Sequence, residues 1–154
     1  MRTKTWLVVL ALSSVVLGGA VGPADAVSKY QTTLVPNLAG TNPGFSASGS
    51  SIKIQHAMVT GKIKGVVDDA GNRVTTSPTN PYTIHVAFTE LSMGTTGTVT
   101  VTVNLTNGNG TFAQDASSAF SAAGVTAGDG IAIDSVRVMD NMSNTIGGGG
   151  VVGE

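Results

Sequence analysis

Apolar and polar residues alternate in steps of two along much of this chain, and the steps change parity at a few defined points. The strictest run covers residues 98–106, where Val99, Val101, Val103 and Leu105 interleave with Thr98, Thr100, Thr102 and Asn104. That period predicts a strand with one buried and one solvated face. A second run sets Tyr82, Ile84, Val86 and Phe88 against Thr83, His85, Ala87 and Thr89. Further upstream, Ile52, Ile54, His56 and Met58 share one parity, and Val59, Gly61, Ile63, Gly65 and Val67 take the other. A shift of one residue sends side chains to opposite sheet faces, so a bulge or a turn is expected near Met58 and Val59. The same change between Ile131/Ile133 and Val136/Val138 predicts a bulge at Asp134 and Ser135. Tyr30, Thr32 and Leu34 suggest one more short strand, followed up to Ser51 by a loop broken by Pro36, Gly40, Pro43, Gly44 and Gly49.

Turn chemistry separates these runs. Asp68-Asp69-Ala70-Gly71-Asn72 has the composition of a hairpin turn, with carboxylate and amide groups that bond nearby backbone and a glycine free to take positive φ. Arg73 and Val74 are expected to begin the return strand. The segment Val136–Ile146 places Asp140 and Asn144 in the same way, so one hairpin chemistry is used twice. Asn107-Gly108-Asn109-Gly110 ends the strict strand. Residues 115–123 carry the one helix-like pattern, with Asp115 as a cap, Ala116, Ala119, Phe120 and Ala123 on one face, and Gly124 as the stop. Gly147–Gly150 reads as a flexible joint leading to Val151 and Val152, an edge strand or a tail. About seven short strands with turns roughly every ten residues give an all-β expectation: an antiparallel β-sandwich, Greek-key or immunoglobulin-like, with one short helix near 115–123.

The first 26 residues break this pattern. Arg2 and Lys4 precede an apolar run from Trp6 to Leu17, and Ala24-Asp25-Ala26 supplies a small-x-small cleavage site. This is the layout of a secretory signal peptide over residues 1–26. The run is short for a bilayer span, so no membrane segment is expected after cleavage. The processed chain, residues 27–154, has the size of a single domain, and its destination is periplasm, cell surface or medium. Cysteine is absent, which leaves packing and ladder hydrogen bonds to hold an exported fold and excludes thiol catalysis and Cys-based zinc sites.

After cleavage six basic residues face eight acidic ones, no footprint for a nucleic acid. Their distribution is uneven. Lys29, Lys53, Lys62 and Lys64 lie before residue 68, and all eight acids lie from Asp68 onward. Such asymmetry supports head-to-tail contacts between copies, or the pairing of basic and acidic strands within one sandwich.

Candidate chemistry is sparse. His56 and Met58, two apart on an expected strand, together with His85, offer imidazole and thioether to copper, with Met93, Met139 and Met142 as further donors; the same residues also serve as ordinary strand and core positions. Asp68, Asp69 and Asn72, or Asp140, Asn141 and Asn144, offer clustered oxygens to calcium, and equally hold hairpin turns. Three glycosylation sequons begin at Asn104, Asn109 and Asn141. No Gly-x-Ser-x-Gly elbow occurs. Tyr30 and Tyr82 are the only tyrosines on which a neutral sugar would stack. The leading expectation is therefore an exported, non-enzymatic structural or adhesive module with no cofactor. Its partners would be other copies of itself or surface proteins, with self-association at Val151 and Val152. The alternative is a periplasmic or secreted copper-type metal-binding protein.

Overall fold

β-Branched residues suit a pleated, half-buried surface, and strands form wherever Val, Ile and Thr alternate. The computed structural model describes residues 31–32 and 43–150. Its elements are β1 (Gln31–Thr32), β2 (Gly44–Gln55), β3 (Met58–Val67), β4 (Tyr82–Glu90), β5 (Thr96–Val103), β6 (Gly110–Asp115), α1 (Ser117–Ala122), β7 (Ile131–Met139) and β8 (Thr145–Gly150). They build two antiparallel sheets, ordered β1-β2-β3-β6 and β5-β4-β7-β8. This is the all-β sandwich with one short helix that the alternation predicts. The signal peptide expected over residues 1–26, the strand positions expected at Tyr30 and Leu34, and Val151 and Val152 lie outside the described residues.

Both inner faces meet in one core. Ile52, Ile54, Val59 and Ile63 from the first sheet close against Ile84, Val86, Phe88, Val101 and Val138 from the second, and each is fully buried. β4 alternates without a break from Tyr82 to Glu90. The helix plugs one end: Phe120 is buried and meets Phe88 edge-on, with ring centroids 4.9 Å apart at 87°. Such a T-shaped pair adds about 1 kcal/mol beyond the area it buries.

The parity change near residue 58 is a turn. His56 (φ 48°) and Ala57 (φ 60°) are the two central residues of the β2–β3 hairpin, where Gln55 pairs with Met58. Two-residue hairpins favour positive φ at both positions because that twist matches the strands. The parity change in β7 is the expected bulge: Ala87 pairs with Ser135 and Phe88 with Ile133, leaving Asp134 over.

Five local expectations are corrected. The stretch from Gly44 to Ser51, expected as loop, is the irregular first part of β2, paired with β3 through register shifts that its glycines and serines leave unmarked by alternation. Arg73 and Val74 start no strand; the return limb makes one isolated bridge, Val67 to Arg73. Asp115 does not occupy the cap position. Ala116 does, without a side-chain cap, while the Asp115 carboxylate accepts the Ser117 N–H at 2.7 Å. Residues 110–115 form a strand that alternation does not announce, because Phe112 is its one large inward side chain and its pairing with β3 supplies the rest. Gly147–Gly150 is no hinge, since these glycines are part of β8. At Gly147 a Cβ would collide with the Phe45 ring, and at Gly148 with the Val136 carbonyl oxygen. Only side-chain-free residues let that strand lie so close to its neighbours.

Candidate functional site

The two Asp-Asn hairpins close in the same way, bond for bond. The Asp68 N–H donates to the Asn72 carbonyl (2.9 Å) and the Gly71 N–H to the Asp68 carbonyl (3.0 Å). The Asp68 carboxylate accepts the N–H groups of Ala70 (3.0 Å) and Asn72 (2.8 Å), and its second oxygen accepts the Asn72 amide at 3.3 Å. In the second turn the Asp140 N–H donates to the Asn144 carbonyl (2.9 Å) and the Ser143 N–H to the Asp140 carbonyl (3.1 Å). Its carboxylate accepts the N–H groups of Met142 (2.9 Å) and Asn144 (2.8 Å) and the Asn144 amide at 2.9 Å. Backbone donors aimed at a carboxylate favour its charged form, and for Asp68 the Asn72 N–H is the largest cause holding the carboxyl below its ordinary value.

These turns flank a cleft of about 560 Å³ at one end of the sandwich, lined by Asp68, Asp69, Tyr82, Asp140, Asn141 and Met142 among others. Tyr82 begins β4, and the packing that buries its ring leaves it 7 % exposed. Burial, and then the negative charges of Asp140, Asp68 and Asp69, push its hydroxyl pKa up. Burial and the acidic surroundings thus favour the neutral hydroxyl of Tyr82.

Of the calcium candidates, Asp68 and Asp69 thus border the same cleft as Asp140, Asn141 and Asn144, while Asn72 does not line it. The Asp68 and Asp140 carboxylates accept turn N–H groups, and the Asn72 and Asn144 side chains donate their amides to those carboxylates. Among the described residues no three His, Asp or Glu side chains are grouped to hold a metal ion. The copper candidates are spread apart. His56 is exposed in the β2–β3 turn instead of in a strand, so it does not share a strand face with Met58. Met58 lies on β3 opposite Asp115, and His85 lies on the outer face of the second sheet between Thr100 and Arg137. Met93 and Met142 are exposed on loops, and Met139 ends β7.

Two further features escape a reading of the sequence. Among the described residues the edges of the second sheet are β5 and β8, and neither contains proline or a charged residue. That signal is present in the residues, but which strands are edges is a property of the assembled sheet. The second feature is the outer face of the first sheet, which carries Lys53, Lys62 and Lys64. Among the described residues no helix is long and apolar enough to cross a membrane. Comparisons with protein-family models, curated proteins and solved structures found no match to this chain.

Proposed function

We propose that this chain is an exported, non-enzymatic β-sandwich that serves as a structural or adhesive module at the cell surface or outside it, and that it associates with further copies through the edges of its second sheet. One observation carries the reading: among the described residues, β5 and β8 are the outermost strands of that sheet. Natural edges are ordinarily blunted by lysine, proline or bulges; β5 (TGTVTVTV) and β8 (TIGGGG) contain neither lysine nor proline, and the one irregularity, at Ile146, lies at the start of β8. An open ladder of N–H and C=O groups takes another strand by β-augmentation. β8 leads directly into Val151 and Val152, the residues the sequence offers for the same contact. A finer immunoglobulin-like, Greek-key assignment draws support from connectivity: the chain leaves β3, makes the β4–β5 hairpin in the opposite sheet, and returns with β6 beside β3.

Light scattering after size-exclusion chromatography tests the proposal. The purified chain is expected to form concentration-dependent oligomers. Thr98→Lys with Thr100→Lys, which would set like charges face to face across a β5–β5 pairing, is expected to return monomers. A strict monomer at high concentration removes the reading.

A further inference from the structure

A second concavity, of about 480 Å³, runs along the outer face of the first sheet where β3 and β6 meet the loop after β5. Lys62, Lys64, Asn104, Thr106, Asn109 and Thr111 line it, and no carboxylate does. Lys62 and Lys64 are two apart on β3, so their Cα atoms are about 7 Å apart on one face. Thr111 lies directly opposite Lys62 in the ladder. The Lys64 stem and ammonium rest over Gly49, from which a flexible four-carbon chain can swing.

The far wall is rigid. The Asn109 side chain accepts the Gly65 N–H at 3.3 Å and donates to the Asn107 carbonyl at 3.0 Å. The Gly108 carbonyl accepts the Val66 N–H (2.9 Å), the Gly108 N–H donates to the Val74 carbonyl (2.7 Å), and the Asn107 N–H donates to the Thr75 hydroxyl (3.1 Å). Gly108 has φ 75°, and a Cβ there would strike the Val66 carbonyl oxygen at 2.6 Å, so the loop is locked against β3. No hydrogen bond among the described residues engages the side chains of Asn104, Thr106 or Thr111. The groove thus joins two cations to free amide and hydroxyl groups on a wall that is already ordered when a ligand arrives.

We propose that this groove binds an acidic polysaccharide, its carboxylate or sulfate groups held by Lys62 and Lys64 and its hydroxyls by Asn104, Thr106 and Thr111. None of the lining residues is aromatic, so the groove offers no platform for stacking a nucleic-acid base. A neutral sugar would leave both ammonium groups unpaired. The two lysines lie on the sheet opposite to the edges invoked for self-association, and only the loop that follows β5 links the groove to them.

Titration calorimetry with polygalacturonate, dextran sulfate, neutral dextran and a single-stranded oligonucleotide of matched charge tests it on the full chain. One or both acidic polysaccharides are expected to bind, more weakly as salt rises; a response to polygalacturonate alone assigns carboxylates, and to dextran sulfate alone assigns sulfates. Neutral dextran is expected to be silent and the oligonucleotide to bind at least tenfold more weakly. Lys62→Gln with Lys64→Gln, on the exposed face where folding is untouched, should weaken binding at least tenfold. Lys53→Gln, on the same face but outside the groove, should leave it unchanged. Binding that survives the double substitution, falls equally with Lys53→Gln, or is matched by the oligonucleotide overturns the proposal, as does silence with both acidic polymers.

Discussion

The turns at Asp68–Asn72 and Asp140–Asn144 use the same five-residue chemistry and lead to different structures. The first returns through a single bridge at Arg73 and then crosses the end of the sandwich as irregular chain. The second returns as β8, paired with β7 over Ser135–Met139. The difference lies beyond the turns. Gly147 and Gly148 let the second limb slide under Phe45 and against Val136, whereas Val74 in the first limb donates its N–H back to Val66 while Gly108 donates to its carbonyl. A side-chain-to-backbone turn reverses the chain, and packing decides whether the returning limb becomes a strand.

The strongest way to break the contrast is Gly147→Val, which sets a branched side chain into the Phe45 ring. Overpacking of this kind costs about 3 kcal/mol, and chemical denaturation should register that loss together with the exposure of β8 to hydrogen exchange. Next, Asp140→Ala removes the part-buried acceptor of the Met142 and Asn144 N–H groups and should cost about 2 kcal/mol. Asp140 is 7 % exposed, while the Asp68 turn faces water, so Asp68→Ala should cost measurably less under the same denaturant. Equal losses would remove burial as the distinction.

The turns also differ at their left-handed position, Gly71 at φ 82° against Ser143 at φ 67°. Gly71→Ala meets open space, so its cost is backbone strain alone, about 1 kcal/mol. Ser143→Gly relieves the same strain and should stabilise by about 0.5 kcal/mol, the remainder being offset by the freedom glycine gains in the unfolded chain.

The smallest effect is in acid. The Asp68 carboxyl is held below its ordinary value by the Asn72 N–H first. A depressed folded pKa contributes stability that is complete above the unfolded value and is lost as pH falls through the folded one. Asp68→Asn should therefore flatten the decline of stability below about pH 4. It should do so only in part, because Glu90, Asp115 and Asp129 are depressed in the same direction, chiefly by hydrogen bonds from Ser92, Ser117 and Thr126.

The strands β4 and β5 were legible because each residue's neighbours two away report the same face, a signal that needs no tertiary partner. The β7 bulge was legible for the same reason. β6 was not, since Gly110–Asp115 has one large apolar residue and owes its strand to β3. His56 was placed in a strand because positive φ at a non-glycine hairpin leaves no mark on alternation. The calcium candidates were legible as polar clusters, yet only the sandwich brings Asp68, Tyr82 and Asp140 to one cleft. The groove of Lys62 and Lys64 needed a loop from residues 104–110 that is distant in the chain, and no local pattern announces such a wall.

Local side-chain chemistry by itself determined which segments of this protein are extended, where they turn and which faces turn inward, because alternation and carboxylate-to-backbone bonds act over a few residues. Which strands end a sheet, which limb becomes β8 and which polar groups share a cavity were decided only by the packed structure. Those properties depend on contacts between segments tens of residues apart, and their cost or gain appears only when both partners are in place.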